Sequence, residues 1–224
     1  MKKRLLLTIS GLLLIGLFFA FTFLVRSDIL RPFDFDMTVK IQNKIPLRAY
    51  NYLELIGESA RFEIITVLIF IVLALWRQWW QMIIVFGTYI GAHLLELIGK
   101  LILSQPPPPF QFYKLQSNVW FPSNYVAEGA NSYPSGHSLR AFFFAVLISG
   151  MILQSKKIPL IIKAGAVVGF LGLAALVALA KVALGQHWTT DVMAGTMLGM
   201  GTGMVSMAFF NYSLRRRKKT YSDV

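Results

Sequence analysis

Six long apolar stretches, each close to the length that crosses a bilayer, constrain the fold of this chain more than any other feature. They cover residues 5–25, 62–76, 82–103, 138–153, 158–179 and 192–212. A hydrocarbon core offers the backbone no hydrogen-bonding partner, so a stretch of about 20 apolar residues crosses it as an α-helix. The hydrophobic fraction of 56% and the mean hydropathy of +0.60 agree with this interpretation. The sequence therefore predicts an all-α polytopic membrane protein, in which residues 1–224 form a single domain with a bundle of six transmembrane helices.

The basic residues are concentrated in four short segments. They lie at 2–4, at Arg77, at 156–157 and at 215–219. When the six stretches are counted along the chain, all four segments fall on one side of the membrane, and Lys and Arg accumulate on cytoplasmic segments. This arrangement predicts that both termini are cytoplasmic, and it accounts for the net charge of +12 without a nucleic-acid partner.

The N-terminal stretch has the basic start of a signal peptide, but its apolar run is long and no small-residue cleavage site follows it. We interpret it as an uncleaved helix, with a cleaved signal as the alternative. The small size of the chain favours a bacterial plasma membrane.

Two connections on the predicted extracytoplasmic side are long. Residues 26–61 predict a partly amphipathic cap, and residues 104–137 form a connection longer than two helices need. Loops of that length are usually functional or disordered, and this one begins with the helix-breaking run QPPPPF. The chain has no cysteine, which excludes disulfide bonds and thiolate metal sites.

Ionisable residues lie near the outer ends of the predicted spans: Lys100, His137, Lys181, His187 and Asp191. Each alone has a structural interpretation, because a lysine can extend to the headgroups, a histidine can begin a helix and an aspartate can stabilise a helix N-terminus. Ionisable groups near a membrane span are costly, however, and they tend to serve function. Their convergence on the face that the loop charges define as outer therefore favours a site.

Phosphoryl transfer is the chemistry that these residue types fit best. Ser135 and Gly136 form a turn that enters a helix, where backbone N–H groups and the helix dipole attract an anion. Two histidines can divide the work, one attacking and the other protonating the leaving group. Asp191 follows His187 by one helical turn and can hold that imidazole in one tautomer. No carboxylate cluster suited to Mg²⁺ accompanies them, so we expect no metal and no other cofactor.

Three segments carry these residues at fixed spacings. Lys100 is followed by LILSQPPPP, YPSGHS occupies 133–138 and AKVALGQHWTTDVMAG occupies 180–195. The spacings resemble the K-x6-R-P, P-S-G-H and S-R-x5-H-x3-D pattern of the type 2 phosphatidic acid phosphatase superfamily, the integral-membrane lipid phosphate phosphatases. The resemblance covers the six-helix layout from about residue 5 to residue 212.

The resemblance implies a six-helix bundle whose site faces the outer leaflet. His187 would be the nucleophile that forms a phosphohistidine, Asp191 would orient it, and His137 would be the general acid. Ser135 and Gly136 would bind the phosphate, with Lys100 beside them, and Lys181 adds a second fixed cation. The substrates that the family suggests are undecaprenyl pyrophosphate, phosphatidylglycerol phosphate and phosphatidic acid.

The chain departs from the family pattern at both arginine positions. Pro107 occupies the first and Lys181 the second, and Ala180 stands where the family has serine. Lysine keeps the charge but not the planar two-bond contact that a guanidinium makes with phosphate, and proline keeps neither. Arg140, one turn into the predicted fourth helix, could bind the phosphate as a substitute guanidinium. The alternative is an arginine that extends to the headgroups.

A trio of ionisable residues shares one face of the third predicted helix. His93, Glu96 and Lys100 occur at positions i, i+3 and i+7. Glutamate four residues before lysine is the favourable order for an ion pair. The pair is either structural, or Glu96 holds Lys100 toward the phosphate.

The sequence therefore favours an enzyme that removes phosphate from a membrane lipid on the extracytoplasmic side. Two alternatives remain open: a protein that binds or scaffolds lipid phosphates without efficient catalysis, and a lipid phosphotransferase. The oligomeric state is not determined, because the small residues of MLGMGTGM could also pack helices within one subunit.

Overall fold

The computed structural model describes residues 2–59, 62–75, 77–114 and 131–222, and only the backbone of residues 58, 59, 62, 63 and 211–222. Within these residues the regular structure is helical and contains no strand. The α-helices of the described chain are α1 Lys2–Arg26, α2 Arg31–Lys44, α3 Leu47–Ser59, α4 Phe62–Leu75, α5 Trp79–Ile102, α6 Gly136–Gln154, α7 Leu160–Ala183 and α8 Thr189–Ser222. The all-α prediction is confirmed for this part of the chain.

Five helices are long and apolar enough to cross a membrane: α1, α5, α6, α7 and the Thr189–Phe210 part of α8. They coincide with five of the six predicted stretches. The remaining stretch, 62–76, corresponds to α4, which has 14 residues and is therefore about 21 Å long. That length is short of a hydrocarbon core of about 30 Å. The count of six spans stays a prediction, and position 76 lies outside the described residues.

Two helices extend past their predicted boundaries at the end that carries the ionisable residues. α6 begins at Gly136 rather than at 138, because Ser135 caps it before the apolar run starts. α7 continues to Ala183 rather than ending at 179, so Lys181 lies within its last turn. Polar residues inside the protein can extend a helix beyond its apolar stretch. Hydropathy alone therefore placed the start of α6 too late and the end of α7 too early.

The predicted cap at 26–61 contains two helices, α2 and α3. Pro32 lies in the first turn of α2, where its missing N–H has no intrahelical role. At its other end the Gln42 side chain donates to the carbonyls of Phe112, at 2.8 Å, and of Ala183, at 2.9 Å. α3 packs along α7, with Gly57 against Ala180. The two helices thus cover the end of the bundle where α7 stops.

α8 packs against α1, α5 and α6, and glycines allow the closest of these approaches. Gly195, Gly199 and Gly203 recur every four residues and face the backbone of α6. A methyl group on Gly195 would overlap the Ser135 carbonyl oxygen, and one on Gly199 would overlap that of Leu139. Small residues permit close backbone contact in membrane bundles. The starts of α6 and α8 are therefore held side by side.

The connection after α5 runs in extended form and ends in a short 3-10 turn at Phe110–Phe112. It is anchored by the Ser132 N–H, which donates to the Gln105 carbonyl at 2.9 Å, and by the Lys114 N–H, which donates to the Leu184 carbonyl at 3.3 Å. Residues 115–130 of the predicted long connection lie outside the described residues.

Candidate active site

The first part of the site is the turn that begins α6. Ser135 stands at the N-cap, and its hydroxyl oxygen accepts from the Ser138 N–H at 3.5 Å. Gly136 is the first helical residue, and a side chain there would overlap the carboxylate of Glu96. His137 follows and is 5% exposed. The glycine is therefore needed for close packing. Because α6 begins here, its first backbone N–H groups lie at the end of the helix that carries the site.

The second part is the segment between α7 and α8. Gly185 adopts a φ of 75°, a left-handed conformation that suits glycine. This reversal lets the N–H groups of Gln186 and His187 both donate to the Lys181 carbonyl, at 3.0 and 3.2 Å. The His187 Nδ1 atom lies 3.4 Å from Oδ2 of Asp191, which is fully buried. At this distance the two atoms are close but form no hydrogen bond, and catalytic contacts are often long in a structure without substrate.

A backbone hydrogen bond joins the two parts. The Ser135 N–H donates to the Asp191 carbonyl at 2.9 Å. Together with the contact of Gly195 on the Ser135 carbonyl, it brings the predicted phosphate-binding turn against the predicted nucleophile segment. Residues 56 positions apart in the sequence thus meet at one end of the bundle.

Basic side chains surround His137. Lys100, Lys181, Arg140 and His187 all lie close enough to interact with it electrostatically. The Lys181 ammonium is buried and donates to the Gln186 side-chain oxygen at 2.7 Å. The structure therefore groups every predicted catalytic and phosphate-binding residue around the start of α6.

Glu96 contacts two of these cations, Lys100 and Arg140, and the imidazole of His93. Its carboxylate lies 3.3 Å from the Lys100 Nζ atom, 2.9 Å from the His93 Nδ1 atom and 3.9 Å from the Arg140 Nη2 atom. The sequence predicted that His93, Glu96 and Lys100 share one face of a helix, and the structure contains the ion pair between Glu96 and Lys100. The contact with Arg140 arises only when α6 packs beside α5.

Pro107, at the position of the family's first arginine, lines a cavity of about 750 Å³ beside the site. The cavity lies at the C-terminal ends of α1 and α5 and is lined by Trp188 but by neither of the histidines 137 and 187. Arg26 and Arg31 also line it. Pro107 therefore lines this cavity, and its side chain has no donor with which to bind a phosphate.

Sequence reasoning missed Asp34, which lies on α2 and is 3% exposed. Its carboxylate accepts two hydrogen bonds from Thr190, from the N–H at 2.8 Å and from the hydroxyl at 2.6 Å. Burial raises the pKa of Asp34, the hydrogen bonds from Thr190 lower it, and the charge of Asp191 raises it further. The only signal in the sequence was an aspartate in the amphipathic cap, and its partner lies 156 residues away.

Within the described residues, no group of three His, Asp or Glu side chains is placed to hold a metal ion. A metal-independent reaction stays a prediction, which a chelator can test.

Comparison with known proteins relates the chain to one family. The family model of the PAP2 superfamily matches residues 78–215. Phosphatidylglycerophosphatase B of Bacillus subtilis (strain 168) is 30% identical over 130 residues, which are 56% of each protein, so the chain spans about half the length of that curated relative.

A solved structure has the same fold. The crystal structure described as the first transmembrane PAP2 type phosphatidylglycerolphosphate phosphatase, from Bacillus subtilis, superposes with a TM-score of 0.71. The match covers 91% of this chain and 96% of the other at 18% identity. At that identity the likeness concerns the fold alone.

Proposed function

The chain belongs to the PAP2 superfamily, and from this premise we propose that it is a lipid phosphatase. It removes a phosphomonoester or pyrophosphate group from a membrane lipid through a phosphohistidine on His187. The observation that carries the proposal is the junction of the two turns. The hydrogen bond from Ser135 to the Asp191 carbonyl brings the anion-binding start of α6 beside the His187–Asp191 pair.

The first step forms a phosphoenzyme. The Nδ1 atom of His187 faces Asp191, which leaves Nε2 to attack phosphorus and form the P–N bond. The P–O bond to the lipid breaks, and His137 gives a proton to the departing oxygen. Asp191 stabilises the positive charge that develops on the attacking imidazole.

The second step releases phosphate. Water attacks the phosphorus atom, and the now neutral His137 takes its proton. The P–N bond breaks, its electron pair returns to His187, and orthophosphate leaves. Both steps place negative charge on the oxygens of the phosphoryl group, where N–H groups of α6 and the surrounding cations stabilise it.

Arg140 supplies the guanidinium that the motif positions lack. Its Nη1 atom lies 3.1 Å from where a Cβ atom on Gly136 would stand, and its side chain is 17% exposed. It is therefore directed toward the start of α6 rather than toward the headgroups. From there a guanidinium can reach a phosphate that the turn at 135–137 holds.

The substrate is a lipid of the extracytoplasmic leaflet of a bacterial plasma membrane. Phosphatidylglycerol phosphate is the first candidate, because the curated relative that is 30% identical carries that activity in its name. Undecaprenyl pyrophosphate and phosphatidic acid are the others. Product analysis with an added acceptor lipid distinguishes hydrolysis from transfer of the phosphoryl group to another lipid.

The test is phosphate release by the purified protein in detergent, with chelator and without added metal, from these three lipids. The matched control is His187→Ala. We expect release by the unaltered protein, none by the variant, and a phosphorylated His187 on rapid acid-free quenching with labelled substrate. Metal-dependent release, or release that survives in the variant, contradicts the mechanism.

The second candidate is a protein that binds lipid phosphates without hydrolysing them. The observation that favours it is the state of the two arginine positions, since Pro107 lines another cavity and the Lys181 ammonium is bonded to Gln186. Saturable binding of the lipids, together with background release from all of them, would support this candidate.

A further inference from the structure

Helix α2 lies at the outer end of the bundle and turns polar side chains toward the protein. Asp34, Thr38 and Gln42 recur every four residues and so share one face. Asp34 and Thr38 are buried, whereas Phe33 and Phe35 are exposed. A helix at a membrane surface usually turns its polar face to water. The reversed arrangement of α2 therefore calls for a specific role of its buried polar face.

Asp34 completes the start of α8. That helix begins directly after Trp188, whose side chain has no oxygen with which to cap the free N–H groups. Two carboxylates accept from these groups instead. The Trp188 N–H donates to Asp191 Oδ2 at 2.8 Å, and the Thr190 N–H donates to Asp34 Oδ1 at 2.8 Å. With the Thr190 hydroxyl on its other oxygen, Asp34 fixes the residue directly before Asp191.

Thr190 is also bonded to the segment that follows α5. The Gln105 side chain donates to the Thr190 hydroxyl oxygen at 3.3 Å. The Trp188 indole donates to the Pro106 carbonyl at 2.9 Å. The Gln105 carbonyl in turn accepts from the Ser132 N–H, just before the turn at 135–137. The position of the nucleophile segment relative to α6 thus depends on a network in which Asp34 is the charged acceptor.

The carboxylate is an expensive way to cap a helix here. Among the described residues Asp34 has no ion-pair partner, and the nearby charge that acts on it is that of Asp191, which has the same sign. A serine or asparagine could accept from an N–H group with a smaller desolvation cost. What a carboxylate adds is two strong acceptors that grip both donors of Thr190.

We propose that Asp34 is a positioning residue for the catalytic segment: through its two hydrogen bonds to Thr190 it holds His187 and Asp191 against the start of α6. The effect on catalysis rests on the proposed phosphatase function. The effect on the placement of His187 does not, because that placement can be measured in a protein with no activity.

The variants form a graded series. Thr190→Ser keeps both donors and should match the unaltered protein, whereas Thr190→Val keeps only the N–H. Asp34→Ala removes both hydrogen bonds. A misplacement of about 1 Å lowers an enzymatic rate by about 10²-fold. We therefore expect kcat to fall by that factor in Asp34→Ala and by a smaller factor in Thr190→Val. KM should change little in either variant.

Two comparisons separate positioning from a general loss of structure. Asp36→Ala removes an exposed acid from the same helix and should leave kcat unchanged. The double variant Asp34→Ala/Thr190→Val should be no slower than Asp34→Ala, because both changes remove the same interaction. If Asp34→Ala does not fold, Thr190→Val against Thr190→Ser tests the same bond.

The independent readout is the rate at which diethyl pyrocarbonate modifies His187, measured by peptide mass spectrometry. His187 is 7% exposed, and we expect its modification to be several-fold faster in Asp34→Ala or Thr190→Val than in Asp36→Ala or Thr190→Ser. Equal rates in all folded variants overturn the proposal. Faster modification in a chain that releases no phosphate supports the positioning role and contradicts the phosphatase function instead.

Discussion

At the scale of single residues, the cations near the candidate phosphate position differ in how available they are to bind a phosphate. The Lys181 ammonium already donates to Gln186 and is 1% exposed. Lys100 is more open, with 37% of its side chain exposed, but it pairs with Glu96. Arg140 has five donors on a planar group, and its 3.9 Å contact with Glu96 is the longest of that carboxylate's ion pairs. Arg140 is therefore the cation best able to add two bonds to a phosphate.

The first prediction concerns Arg140. Removing a donor that stabilises the transition state lowers kcat by about 10²–10³-fold, and we expect Arg140→Ala to fall in that range. The kcat of Arg140→Lys should lie between those of Arg140→Ala and the unaltered protein, because lysine keeps the charge but loses the planar two-bond contact of the guanidinium. Phosphate release under saturating lipid measures both. Arg48→Ala, an exposed arginine on α3, is the control, and full activity in Arg140→Ala would rule out the substitute guanidinium.

The second prediction concerns Glu96, whose carboxylate contacts His93, Lys100 and Arg140. Glu96→Gln keeps the shape but removes the negative charge that pairs with Lys100 and Arg140. We expect kcat/KM to fall by about tenfold, equivalent to about 1.4 kcal/mol, with the fold intact. Glu54→Gln on α3 provides the comparison. Unchanged activity and lipid affinity in Glu96→Gln would leave the ion pairs as structural contacts only.

The third prediction follows from the buried carboxylate of Asp34. Burial raises its pKa above the ordinary value of 3.8. The hydrogen bonds from Thr190 lower the pKa and the charge of Asp191 raises it, and the net shift is upward. Folding then favours the protonated form, so its contribution to the free energy of unfolding is full below pH 3.8 and is lost as pH rises through the raised pKa. Relative to Asp34→Asn, the unaltered protein should gain stability as pH falls from neutral toward that value. Thermal unfolding in detergent at several pH values measures this dependence of stability on pH, and Asp36→Asn is the control. If stability changes with pH in the same way in the unaltered protein and in Asp34→Asn, the prediction is wrong.

At the scale of helices, the separation of α6 and α8 sets the geometry of the site. The residues that carry the proposed chemistry belong to the first turns of these two helices and to the segment before α8. Gly195, Gly199 and Gly203 let the two backbones meet without intervening side chains. The contact continues away from the site, so a change several turns along α8 should still alter the distance between His137 and His187.

The fourth prediction tests that contact. A methyl group in Gly199→Ala would overlap the Leu139 carbonyl oxygen, so the helices must separate. Overpacking of this kind costs about 1–3 kcal/mol, and the displacement should lower kcat by about 10²-fold. Gly169→Ala on α7 meets no atom within 4 Å and is the matched control. Normal kcat in Gly199→Ala would show that the site tolerates a wider spacing than the fold presents.

At the scale of the whole molecule, what the sequence could predict was local or periodic. Hydropathy gave the long helices, and spacing within one segment gave the turn at 135–137 and the pair His187–Asp191. The contacts from Asp34 to Thr190 and from Arg140 to Glu96 could not be predicted in this way. Each joins two helices, and which side chains meet depends on how the helices rotate and approach. The cap at 26–61 was predicted as partly amphipathic, but its division into two helices was not, since their apolar residues are too few and too dispersed for a hydropathy signal.

The same scale determines which face of the membrane the site meets. The C-terminal ends of α5 and α7 and the N-terminal ends of α6 and α8 lie together at the site, while the connection with Lys156 and Lys157 lies at the opposite end of α6 and α7. Basic connections stay in the cytoplasm. We therefore expect the site to face the extracytoplasmic side, as the proposed function requires.

The fifth prediction tests this topology directly, and the chain suits the experiment because it has no cysteine. Ser27→Cys and Ser104→Cys place a thiol at exposed positions of the site end, and Lys156→Cys places one at the other end. In intact spheroplasts, a membrane-impermeant maleimide should label the first two variants at once and the third only after permeabilisation. The three variants control one another, since each is tested in both states. Labelling of Lys156→Cys alone in intact spheroplasts would place the site in the cytoplasm, and the phosphatase would then act on lipids of the inner leaflet.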